Sequence, residues 1–149
     1  AADLANWPRH ELFAFKMDTD DHHGRLDDFL PPISPDDIRE SARIGASGLI
    51  HFLPHSYLYA EPSDRPDILK GAYKSAFFVM QVARYLETGV YSRSKNQLLD
   101  SLAGAEKEII LTGLDFPARL SEPKEKQAFE TLLTWCRNVL AHYRGGISG

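Results

Sequence analysis

Arg137-Asn138-x-x-x-His142 sets a guanidinium, an amide and an imidazole into an otherwise apolar run between Trp135 and Gly145. A histidine titrating near neutrality can take the proton from a ribose 2'-hydroxyl or give one to a departing 5'-oxygen. An arginine can neutralise the crowded phosphorane between those steps. The chemistry these residue types suit is cleavage of RNA without a metal. On a helix, residues five apart lie about 140° apart in projection, so Arg137 and His142 do not share one stripe, whereas Asn138 and His142, four apart, do. Asn138 is thereby placed to hydrogen-bond a ring nitrogen and fix the tautomer, with Arg137 swinging in from the flank. A groove between helices or a two-fold dimer interface would complete such a set. Arg144 falls on the side of Arg137 and adds positive charge for a phosphate. A plainer reading stands beside this one: His142 complements the helix C-terminal dipole, and Arg137 and Asn138 are solvated.

The helix carrying these residues is expected from near Ser121 to about Tyr143, with Phe129, Leu132, Leu133, Cys136 and Leu140 inward and Gly145-Gly146 stopping it. The clearest element precedes it, from about Pro66 to Glu87. Leu69, Ala72, Tyr73, Ala76, Phe77, Met80 and Ala83 recur at steps of three and four, and Gly89 ends the run. Ser94 with Gln97 forms a capping box for another helix, lined inward by Leu98, Leu99, Leu102, Ala105 and Ile109 and broken near Gly104. Ser34-Pro35-Asp36-Asp37 reads as a helix start. That helix is expected to cover 35–46, loosened by Gly45 and Gly48, and Pro54 makes Leu49 to Tyr59 a short helix or kinked pair. Residues 11–17 alternate weakly and suggest one short strand. The fold class is therefore all-α, an up-and-down bundle of four to five helices over 35–149 behind an irregular N-terminal segment, 1–34.

The 149 residues suit one domain with a substantial core. Seventeen basic side chains against 21 acidic ones leave a net charge of -4, which argues against coating long nucleic acid by charge alone. The balance is uneven: acidic groups dominate residues 1–65, and basic ones slightly exceed them from 66 onward. An anionic partner is expected on the second half. Cys136 is the single cysteine, which excludes an internal disulfide or thiolate cluster, suits the cytoplasm, and reads as a small buried apolar residue. No stretch is long and apolar enough to span a bilayer, so no membrane partner is expected.

The segment Arg137-Asn138-Val139-Leu140-Ala141-His142-Tyr143 resembles the signature of the HEPN superfamily of helical domains. The resemblance implies a metal-independent endoribonuclease, often a toxin neutralised by a nucleotidyltransferase partner and usually a homodimer that brings two motifs together. It would make Arg137 and His142 catalytic, with Asn138 in support and RNA as substrate. A second resemblance competes. Tyr73 to Phe78 and Tyr85 to Leu98 look like the HEPN-like helical domain that follows the catalytic domain of bacterial nucleotidyltransferases. There the domain closes over substrate without cutting RNA; Lys74, Arg93 and Lys95 would contact phosphate or substrate, and Tyr91 would stack on it. The chain lacks the Gly-Ser turn and paired acids expected of a nucleotidyltransferase, so residues 1–34 are expected to be the remnant of such a domain. One carboxylate, Asp18, cannot hold a two-metal site.

No cofactor and no metal are expected. Asp18-x-Asp20-Asp21-His22-His23 has metal-binding composition but reads as a solvated turn, because adjacent histidines do not converge. His51 and His55 have helical spacing, but no glutamate lies between them and Pro54 is expected to disrupt the turn.

Overall fold

A computed structural model of the chain describes residues 8, 9 and 33–147, with side chains through Tyr143. The proposed strand over 11–17, the acidic turn with Asp18 to His23 and most of the 1–34 segment lie outside the described residues. Within them the chain forms five helices and no strand: α1 (Pro35–Tyr59), α2 (Arg65–Thr88), α3 (Lys95–Ser101), α4 (Gly104–Leu114) and α5 (Glu122–Ile147). They make the up-and-down bundle that the apolar periodicity predicts.

α1 begins where the sequence indicates. The Ser34 hydroxyl accepts from the Asp37 N–H, and the Asp37 carboxylate accepts from the Ser34 N–H, so each residue satisfies an orphan donor of the other. Its end corrects the expectation of a break at Gly45 or Gly48 and of a separate, kinked 49–59 segment. The helix runs unbroken through Pro54 to Tyr59. Proline inside a helix costs about 3 kcal/mol, whereas burying one leucine contributes about 1.5–3 kcal/mol. Leu49 and Leu53 are both buried on the same stripe as Ile38, Ala42 and Ala46, and together they outweigh the proline. Gly45 serves close approach: a Cβ built there would lie 2.6 Å from Val79 Cγ2 on α2.

α2 buries Leu69, Ala72, Tyr73, Ala76, Phe77 and Met80 as its period requires and ends at Gly89, whose φ of 74° lets its N–H cap the Tyr85 carbonyl. α3 is capped by the Ser94 hydroxyl on the Gln97 N–H, but the Gln97 side chain reaches back to the Arg93 N–H, one residue before the reciprocal bond expected. The expected break is present: α3 stops at Ser101 and α4 starts at Gly104, itself at φ 63°. Leu98, Leu102 and Ile109 are buried. Ala105 is exposed, against expectation, because the turn at Leu102 and Ala103 rotates the following helix and turns Ile110 inward instead. α5 also outruns its expected stop, since Gly145 and Gly146 lie within the helix.

α1 packs on α2 and α5, and α2 on α4, so α2 sits at the centre. The main core gathers Leu53, Leu69, Met80, Leu98, Ile109, Leu132 and Cys136. A smaller cluster of Ile38, Ala42, Val82 and Tyr143, with Tyr91 and Val139 against it, closes the end of the bundle where Arg137 to His142 lie.

Candidate functional site

α5 buries one side, with Leu132, Leu133, Trp135 and Cys136 in the core, and turns Arg137, Asn138 and His142 outward. Asn138 and His142 do share a stripe. They line one groove of about 330 Å³ together with Trp135, Val139 and Tyr143 of α5, Ala83 and Glu87 of α2, and Ala103, Ala105 and Glu106 at the α3–α4 elbow. The His142 ring meets the Tyr143 ring edge-on at 5.1 Å. Arg137 is exposed on α5 outside that lining, as its 100° rotation from Asn138 dictates. Arg144 lies on the same helix, and its side chain is outside the described residues.

The charged groups facing His142 across the groove are carboxylates. Glu87 is steadied by Arg84, whose Nη1 lies 2.7 Å from Glu87 Oε2 while its Nη2 donates to the Ser101 carbonyl at 2.9 Å. That guanidinium fixes the end of α2 to the end of α3 and so sets the groove wall. Burial first, then the Glu87 and Glu106 charges, pushes the Tyr143 hydroxyl up to about 12 against the opposing charge of Arg39.

The remaining expected contacts lie elsewhere. Lys74 is exposed on α2, about two turns from Val82, which packs beside Tyr143. Lys95 holds its Nζ 5.7 Å from the centre of the Phe77 ring. Arg93 is exposed beside the α3 cap. Tyr91 is half-buried and stands edge-on to Tyr85 at 6.2 Å, in a loop held by the Gln81 amide donating to the Ser92 carbonyl. None of these four lines the Asn138–His142 groove. His51 and His55 do lie on one continuous helix, correcting the expectation that Pro54 breaks the turn, and both are exposed. Among the described residues no three histidine, cysteine, aspartate or glutamate side chains converge as a metal site, and no helix is long and apolar enough to cross a membrane. Burial raises the Cys136 thiol to about 12, as befits a core residue rather than a nucleophile.

Sequence reasoning did not find Glu87 and Glu106. Each reads as an ordinary helix-terminal charge, and only the apposition of α2's last turn with α4's first turn brings them to His142. No protein-family model, curated protein or solved structure matches the chain.

Proposed function

We propose that the chain is a binding domain without cutting chemistry of its own, serving to recognise the substrate or the protein partner of a nucleotidyltransferase. The observation that carries this reading is the groove's charge: His142 and Asn138 look onto Glu87 and Glu106, while Arg137 stands outside. A phosphorane gathers negative charge in the transition state and needs fixed positive groups aimed at it. Glu106, together with Glu87 in its ion pair with Arg84, lines the imidazole's groove and gives that charge no fixed positive partner aimed at it. The stretch from Tyr85 to Leu98, whose resemblance suggested the accessory role, forms the cap and loop that seal the same end of the bundle. The single buried thiol fits a cytoplasmic setting.

The test is incubation of the full chain with a labelled RNA in excess chelator. A binding domain leaves the RNA intact at every protein concentration, and His142→Ala behaves as wild type. Cleavage that disappears in His142→Ala would overturn the reading. A second reading, an RNA-cutting homodimer, keeps one observation in its favour: Arg137, Asn138 and His142 are all exposed, open to a second copy of the chain. Its signature is cleavage that rises steeply with protein concentration.

A further inference from the structure

Three adjoining cavities follow one seam between α4 and α5. The first, of about 280 Å³, is bounded on α5 by Lys124, Gln127 and Thr131. The second, of about 310 Å³, shares Thr131 and continues over Thr134 and Asn138. The third shares Asn138 and ends at His142. These six α5 positions recur at steps of three and four, so they form one uncovered polar face, roughly 27 Å long at the helical rise.

Most of its groups are hydroxyls, amides and an imidazole, which both donate and accept hydrogen bonds. That suits a chain segment whose own backbone lacks partners, and an extended segment of about eight residues spans the length. The walls select its charge. Glu106, Glu108 and Glu130, with Glu87 in its ion pair with Arg84, line the three cavities against the single lysine Lys124, whereas Lys107, Lys126 and Arg137 on the same two helices line none of them. Phe116 and Leu120 at one end, and Trp135 and Val139 at the other, offer apolar surface for the stems of long cationic side chains.

We propose that the α4–α5 seam is a docking groove for an extended, lysine- or arginine-rich polypeptide segment of about eight residues. The proposal rests on the binding-domain reading and names its partner. A single-stranded nucleic acid is disfavoured there, because its phosphates would meet the same carboxylates.

The experiment titrates the full chain against a fluorescein-labelled (Lys-Ala)4 peptide, by anisotropy at about 0.15 M salt, with (Glu-Ala)4 and an eight-nucleotide oligouridylate in parallel. Saturable binding of the lysine peptide alone is expected. Its affinity should fall about tenfold or more in Glu106→Gln/Glu130→Gln, and Thr134→Trp, which fills the middle cavity, should abolish it. Glu61→Gln/Asp67→Asn removes the same charge from exposed positions outside the seam and should leave binding within about twofold. Equal losses in the two double variants, no saturable binding, or tighter binding of the oligouridylate would overturn the proposal. Circular-dichroism melts keep loss of fold apart from loss of the groove. Peptide binding that ignores the seam, in protein that leaves RNA intact, sinks this inference alone; His142-dependent cleavage sinks the reading beneath it.

Discussion

Tyr57 holds together the end of the bundle opposite His142. Its hydroxyl donates to the buried Glu125 carboxylate at 2.7 Å, its ring stacks on Phe129 at 4.4 Å, and the Arg65 guanidinium sits 5.1 Å over its face. Tyr57→Phe keeps the stack but leaves a buried carboxylate without its donor, so we expect a loss of about 1.5–3 kcal/mol in urea unfolding. Glu125→Gln, which still offers an acceptor, should lose less. Two other tyrosines give the molecule an alkaline limit. Burial pushes Tyr73 to about 12, and burial with the groove glutamates does the same for Tyr143, whereas the unfolded chain ionises these phenols near 10. Above pH 10 the unfolded state releases protons that the folded state retains. The stability these groups confer is therefore whole below about pH 10 and is lost as pH rises toward 12. Melting temperatures taken from pH 8 to 12 should fall across that window, less steeply in Tyr73→Phe. At this scale the sequence was informative about Cys136, Tyr73 and the Asn138–His142 stripe, since helical spacing alone decides which side chains share a face. The Tyr57–Glu125 bond was not legible, because its partners are 68 residues apart.

Elements show where local rules yield to packing. Gly45, Gly48 and Pro54 each argue for interrupting α1, and the buried stripe from Ile38 to Leu53 overrides all three. The two glycines nevertheless differ in role. A Cβ at Gly45 meets Val79 Cγ2, whereas one at Gly48 meets nothing within 4 Å. Gly45→Ala should destabilise by about 1–3 kcal/mol through overpacking, with Val79→Ala recovering much of the loss in a double-mutant cycle. Gly48→Ala should instead stabilise the helix by about 0.5–1 kcal/mol. Denaturant midpoints of the five proteins, wild type included, decide both. The caps at Ser34 and Ser94, the stop at Gly89 and the break before Gly104 were legible because each is settled within a few residues. Ala105 was misplaced because a helical stripe cannot be carried across a break: the elbow at Leu102 and Ala103 resets the phase, and Ile110 takes the inward direction.

At the scale of the whole molecule, the charge count hides the arrangement that governs binding. Basic groups do exceed acidic ones after residue 65, yet the seam on that half of the chain is walled by glutamates from α2, α4 and α5. A linear tally cannot separate the side of a helix that faces a groove from the side that faces water. The bundle is also uneven in how firmly its parts are held. α1, α2 and α5 contribute most of the core, while the stretch between the two left-handed glycines, Gly89 and Gly104, buries fully only Leu98 and Leu102. A stretch with few buried contacts opens at lower free energy than the whole fold. Amide hydrogen exchange should accordingly be faster at Leu98 and Leu99 than at Ala76 to Met80, and equal protection in the two stretches would contradict this. The α3–α4 elbow that positions Glu106 thus sits at the border of the part of the chain that comes loose first. Whatever occupies the seam must also hold that border shut, so occupancy should slow exchange in α3, a helix the occupant does not touch.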